Sequence, residues 1–410
     1  MFLKKNNERI RLCLFIIVIL FIFIFIKVLY IQTISYNKLY KLSDDLWSRE
    51  LPITADRGKI LDRNGIVLAD NITSTSLIII PNQIEDQKYT SEVLSKLLNV
   101  SYSDMYNHVT KKTSIERIHP EGRRISFDIA DKINEYKLPG VYLVKESERY
   151  YPYDNFLSHV LGYTGIGNQG LSGIELLYDE YLTGEDGAIK YYSDAKGNKL
   201  DLNEVYIEPE SGMDIMLTID YNIQTSIERE LDNIVDMFSP DNALALVMDP
   251  NTAEVLAMSS RPDYNPNSYQ DYTIEAINRN LPIWMSYEPG STFKIITTAA
   301  SVEEGIVNLE KDTFYDPGSV TISGAKLRCW KAGGHGHQTY LQVFENSCNP
   351  GFVSLGLKLG KERLFNYINM FGFGDKTNID LSGEATGILF DLENVKDLEL
   401  ATTAFGISVY

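Results

Sequence analysis

Residues 12–31 are apolar throughout except for Lys27. A helix of that length covers about 30 Å, the thickness of a bilayer's hydrocarbon core. Residues 38–49 then read as a helical stalk. At residues 57–69 apolar β-formers flank Asn64-Gly65, the mark of a two-residue hairpin. Between residues 70 and 140 a β run at 76–80 is mixed with amphipathic helical stretches such as 91–98. A boundary is expected at residues 209–218, where Glu-Pro-Glu-Ser-Gly interrupts the pattern. Beyond it, residues 222–237 predict an amphipathic helix. Two apolar strands follow at 243–248 and 254–258, joined by the turn Asp249-Pro-Asn-Thr-Ala253. Residues 258–267, with two prolines, predict a loop, and residues 295–302 a helix. No repeat or low-complexity tract appears, so the pattern predicts an α+β chain whose second half is a mixed sheet with helices packed on it.

Charge orients this arrangement. Lys4, Lys5, Arg9 and Arg11 precede the apolar run with only Glu8 opposing them. The positive-inside rule therefore puts the N-terminus in the cytoplasm and everything after about residue 32 outside. Lys27, near the outer end, can snorkel to the headgroups. The rival is a cleaved signal peptide, for which Thr33-Ile-Ser-Tyr36 is a poor cleavage site. Of 38 basic residues, 33 follow Lys27, against 55 of the 56 acidic ones, a net −22 that excludes a nucleic-acid partner. The 410 residues, 44% apolar and 11% aromatic, suffice for two or more domains. Cys13 falls inside the apolar run, leaving Cys329 and Cys348 on the oxidising side. They are a candidate disulfide, weighed equally against two reduced thiols, one packed under the site. No zinc-ligand spacing is evident; His335-Gly-His337 reads as a Gly-rich turn, and no metal or cofactor is expected.

Candidate chemistry gathers around Ser291. Ser-x-x-Lys occurs at Ser35, Ser193, Ser291 and Ser323, but only the copy at Ser291 follows a Pro-Gly break and opens a good helical run. Residues three apart on a helix share a face. A neutral Lys294 amine could take the Ser291 proton, provided burial lowers its pKa. The bland alternative is a helix N-cap beside a solvated lysine. Ser347-Cys348-Asn349 adds a hydroxyl able to relay a proton and an amide able to hold a peptide-like substrate. His159, taken alone, reads as a structural histidine.

Further motifs make the chain resemble the class B penicillin-binding proteins, membrane-anchored D,D-transpeptidases of bacterial peptidoglycan. Arg57-Gly-x-Ile-x-Asp-Arg-x-Gly-x-x-Leu-Ala69, Arg149-Tyr-Tyr-Pro152, His159-x-Leu-Gly162 and Gly173-Ile-Glu175 look like their pedestal motifs. Ala257-Met-Ser-Ser-Arg-Pro262, Asn278-Arg279, Glu288-Pro-Gly-Ser-Thr-Phe-Lys294 and Asn346-Ser-Cys-Asn-Pro350 resemble the transpeptidase domain. Cys329-Trp-Lys and Gly333-Gly-His-Gly336 are most similar to the sporulation-associated branch. The resemblance implies a cytoplasmic tail at 1–11, a transmembrane helix at 12–31, a stalk and elongated β-rich pedestal (dimerisation) domain at 32–215 and a transpeptidase domain at 216–410. It implies Ser291 as acylated nucleophile, Lys294 as its base, Ser347 as proton shuttle, Asn349 as substrate-binding amide and the Ser291 N–H as one oxyanion donor.

The family's third motif, Lys-Thr-Gly, is not found; Lys376-Thr377-Asn378 is the nearest string, and 61 residues follow Asn349. The transpeptidase domain is therefore expected to be incomplete and acylation weak or absent. The implied partners are peptidoglycan stem peptides ending in D-Ala-D-Ala, β-lactams, the membrane and a glycosyltransferase. Two further readings stand beside the transpeptidase: a non-catalytic membrane scaffold of the wall-building complex and, more remotely, a serine β-lactamase.

Overall fold

The computed structural model describes residues 2–192, 205–407 and 409. Its first helix, Phe2–Thr33, contains the expected apolar segment, and Leu14–Thr33 is not buried by the described residues. The stalk helix is Tyr36–Trp47 and passes directly into the strand Ser48–Ile53, so residues 48 and 49 belong to a sheet rather than to the helix. That strand pairs antiparallel with Gly187–Tyr192, Ser48 opposite Tyr192 and Ile53 opposite Gly187.

The Asn64-Gly65 hairpin forms between Ile60–Leu61 and Val67–Ile79, with Leu61 opposite Val67. Its loop has three residues rather than two. The Asp62 N–H donates to Ile66 O, and Asp62 Oδ1 accepts from the N–H groups of Asn64 and Ile66, each at 2.8 Å. Gly65 takes the left-handed position, φ +86°, that such a loop needs. The expected β run at 76–80 is the end of the same long strand, which pairs with Val141–Tyr150 from Asp70–Tyr150 to Ile79–Val141. Leu77 and Ile79 point from it into a core closed by Val93 and Leu94 of the Gln87–Leu97 helix, Met105 of Tyr102–Val109 and Ile133 of Phe127–Tyr136.

Residues 209–218 are not a free linker. Glu210 bridges Glu185, and Ile215–Met216 lies parallel to Ile60–Leu61. A second core there unites Ile60, Leu68, Tyr151, Leu161, Ile174 and Ile219 with Met258 from the C-terminal half. In that half the helix Tyr221–Phe238, capped by Asp220, packs on an antiparallel pair, Ala243–Met248 with Val255–Arg261. The second strand runs to Arg261, so the expected loop starts later. A third core gathers Phe293, Ile296 and Ala300 with Leu364, Phe365, Leu400 and Ala404. Beside it the short strand pairs Thr313–Asp316 with Gly336–Thr339, and Ser319–Ile322 with Ala325–Arg328, lean on the helix Asn349–Leu359. The chain is α+β throughout.

Candidate active site

Ser291 sits exposed on a single 3-10 turn, Gly290–Phe293, that runs into the helix Lys294–Glu303. Bare backbone holds this turn: the Gly290 N–H donates to Gly406 O at 2.9 Å, and a Cβ on Gly406 would lie 1.9 Å from Gly290 O. Phe293, 1% exposed, anchors the turn in the core, and Thr297 Oγ1 ties the helix to Ala404 O at 2.8 Å.

The second segment arrives through a kink. Ser347 adopts φ +50°, a costly conformation for a residue with a side chain, and Cys348 then caps Asn349–Leu359. This turns Ser347 and Asn349 toward Lys294. The Lys294 Nζ donates to Ser347 O and Ser347 Oγ, both at 2.9 Å, and to Asn349 Oδ1 at 2.7 Å. Phe352 closes the pocket from below, its ring centre 5.1 Å from the nitrogen. Ser347 Oγ in turn donates to Ser291 Oγ at 3.0 Å. The hydrogen-bonded path between Ser291 and Lys294 thus runs through Ser347, rather than directly across one helical turn as their spacing suggests. All three partners of the ammonium are neutral. Burial pulls Lys294 down from 10.5 to about 8, with the nearby Cys348 opposing the shift.

The four residues singled out by sequence therefore meet in one place. Of the other Ser-x-x-Lys copies, that at Ser323 lies in a hairpin turn with φ +47°, that at Ser35 precedes the stalk helix, and that at Ser193 is outside the described residues. Contacts that the sequence did not signal complete the surroundings. Asn349 Nδ2 donates to Arg328 O at 3.2 Å, and Trp330 Nε1 donates to Asn346 O at 2.8 Å. Lys376-Thr377-Asn378 does not form a strand. Its Thr377 and Asn378 N–H groups and the Thr377 hydroxyl grip the Glu384 carboxylate at 2.6–3.1 Å.

Cys329 and Cys348 are both free thiols and buried. His335 does not merely shape a turn. Its Nδ1 lies 3.0 Å from Asp316 Oδ2 and 3.4 Å from Cys329 Sγ, whereas His337 faces away, its ring 4.9 Å from that of Tyr315. His159 is satisfied structurally, with Nε2 2.7 Å from Ala276 O and its basicity lowered chiefly by burial.

The pedestal motifs also converge. Glu175, fully buried, takes Arg57 Nε on one carboxylate oxygen and Arg149 Nε on the other, each at 2.6 Å. Arg57 reaches Asp179 at 2.7 Å, and Arg149 donates to Gly58 O at 2.7 Å.

Comparison with known proteins agrees with this arrangement. The penicillin-binding protein dimerisation domain matches residues 52–217, and the penicillin binding protein transpeptidase domain matches residues 243–410. The chain belongs to the class B penicillin-binding proteins. It is 54% identical over 381 residues to stage V sporulation protein D of Bacillus subtilis (strain 168), an alignment covering 93% of this chain and 59% of the relative. It is 30% identical to peptidoglycan D,D-transpeptidase FtsI of Escherichia coli (strain K12), covering 93% of this chain and 64% of that protein. Among solved structures, penicillin-binding protein 2X from Streptococcus thermophilus is similar with a TM-score of 0.64 at 25% identity, over 88% of this chain and 57% of that one. PBP2 from Helicobacter pylori, solved in complex with MreC, gives 0.73 at 25% identity, over 88% and 74%.

Proposed function

We propose that the chain is the anchored, acylating part of a peptidoglycan D,D-transpeptidase that serves sporulation. The observation that carries this reading is the relay Ser291 Oγ, Ser347 Oγ, Lys294 Nζ, which ends on an amine held near pH 8 by burial. Neutral Lys294 accepts the Ser291 proton through Ser347 as Ser291 Oγ attacks the penultimate D-Ala carbonyl carbon. The Ser291 N–H, at the first turn of its helix where amides lack intrahelical partners, donates to the oxyanion. The proton returns through Ser347 to the nitrogen of the terminal D-Ala as the C–N bond breaks. An amine from a neighbouring stem peptide then attacks the acyl-serine, forming the cross-link and restoring the Ser291 hydroxyl. Asn349, whose Oδ1 holds Lys294, presents its Nδ2 to the substrate amide once it leaves Arg328 O.

The apolar helix anchors the chain with its basic N-terminal flank in the cytoplasm, so that the site works outside, where a glycosyltransferase would supply new strands. The alternative, a non-catalytic scaffold, draws on Lys376-Thr377-Asn378 being engaged with Glu384 rather than forming a strand. Covalent labelling by a fluorescent penicillin separates the two. The transpeptidase reading expects label that maps to the Ser291 peptide and vanishes in Ser291→Ala; a folded wild-type protein that takes no label supports the scaffold.

A further inference from the structure

The helix Tyr36–Trp47, just beyond the apolar segment Leu14–Thr33, carries a sorted surface. At helical spacing Tyr36, Leu39, Tyr40, Leu42, Leu46 and Trp47 fall in one arc of about 160°, interrupted only by Ser43. Asn37, Lys38, Lys41, Asp44 and Asp45 fill the opposite arc. Such an apolar stripe normally faces a core, yet Tyr36, Leu39 and Tyr40 are 54%, 46% and 58% exposed. The join between the two helices sets where the stripe lies. The Ile34 and Ser35 N–H groups both donate to Tyr30 O, which ends the first helix, and the second restarts with the Leu39 N–H on Ser35 O at 2.9 Å. Leu14–Thr33 rises about 30 Å, the full thickness of the hydrocarbon core. From Thr33 to Tyr36 the chain can reach at most about 11 Å. The second helix therefore starts in or beside the headgroup layer, which is about 5–8 Å deep on each side.

We propose that Tyr36–Trp47 is an interfacial helix that lies on the outer leaflet, its apolar arc sunk among the lipid headgroups and upper acyl chains. The proposal rests on the anchored reading above and adds a second membrane contact to it. The chemistry of the arc selects a lipid surface over a partner helix. Tyr36, Tyr40 and Trp47 are of the type that concentrates at headgroup level, with the ring buried and the polar tip wet, whereas paired helices meet along aliphatic seams. The stacked pair Tyr36 and Tyr40, ring centres 5.8 Å apart, presents one broad face of this kind. Lys38 and Lys41 can reach lipid phosphates. Asp44 and Asp45 cancel their charge, so attachment rests on apolar area and needs no anionic lipid. The strand Ser48–Ile53 follows without a linker and pairs with Gly187–Tyr192. A helix held on the surface thus brings the base of the pedestal to the membrane instead of leaving it on a free tether.

The test uses the full chain reconstituted into phosphatidylcholine vesicles. The photoreactive amino acid benzoylphenylalanine replaces Leu39 or Tyr40 on the apolar arc, or Asn37 or Lys41 on the polar one. Illumination should give at least about tenfold more phospholipid adduct, read as a mass shift of the peptide, from positions 39 and 40 than from 37 and 41. A cross-linked dimer in place of the lipid adduct at 39 and 40 overturns the proposal in favour of a second copy. Because a replacement can disturb the helix, unmodified protein is also exposed to hydroxyl radicals. Tyr40 should be oxidised at least about fivefold more slowly than Tyr89, a pedestal tyrosine that is 50% exposed; equal rates overturn the proposal. Flotation separates the two readings. A chain that floats with the vesicles but gives equal adducts from both arcs overturns this inference alone, and a chain that does not float overturns the anchored reading along with it.

Discussion

Glu175 and Lys294 are both ionisable side chains withdrawn from water, and each collects partners from distant parts of the chain, but their surroundings differ in charge. Around Glu175 two guanidiniums meet the carboxylate, Asp179 answers the excess cation, and backbone carbonyls accept from Arg57 Nη2 and Arg149 Nη1. Around Lys294 every partner is neutral. The first cluster is compensated and ties together the segments carrying residues 57, 149 and 175. The second is left short of one negative charge, so its cation gives up a proton near pH 8. Burial makes a structural knot where the charges balance and a proton acceptor where they do not.

The largest test of this contrast removes the uncompensated amine. Lys294→Met should slow Ser291 acylation by about 10²–10⁴, the usual worth of a positioned base, while the thermal unfolding midpoint does not fall, because no counterion is stranded. A midpoint well below wild type would mean that Lys294 is structural after all. Next in size is the knot. Glu175→Ala leaves two buried guanidiniums facing one another and should cost about 3–5 kcal/mol in denaturant unfolding. A loss under about 1 kcal/mol would show that water reaches the cluster. The third change gives the second cluster the character of the first. Asn349→Asp sets a carboxylate at the position now 2.7 Å from Lys294 Nζ and should raise the lysine pKa by about 1–3 units, slowing acylation at neutral pH about 10-fold or more. Activity should recover as the pH is raised; a slow rate at every pH would instead mark loss of the amide's own contacts.

The local features of both regions were legible in the sequence. Hydrophobic patterns located the two ends of Val67–Ile79, though not its continuity, together with Tyr221–Phe238 and the Ala243–Met248 pair. Ser291, Lys294, Ser347 and Asn349 announced themselves as short strings. What stayed hidden depended on how distant segments meet. The relay order could not be read from the spacing of Ser291 and Lys294, since the lysine is drawn to acceptors 53 and 55 positions away. The hairpin loop gained a residue because Asp62 caps it with two backbone bonds. The Asp316, Cys329, His335 and Cys348 cluster carries no linear signature, with His335 six positions beyond Cys329, 19 beyond Asp316, and Cys348 32 beyond Asp316. Only the paired hairpins bring them together.

The central claim, that a neutral Lys294 drives Ser291 through Ser347, is tested most directly by the pH dependence of penicillin acylation. The proton must be absent from Lys294 for it to act, so the rate is low below its pKa and rises as the amine deprotonates. With that pKa at about 8, the rate constant should rise about tenfold from pH 7 to a plateau above pH 9, half-maximal near pH 8. A rate constant flat from about pH 6 to pH 9, with the label still on Ser291, would contradict the account.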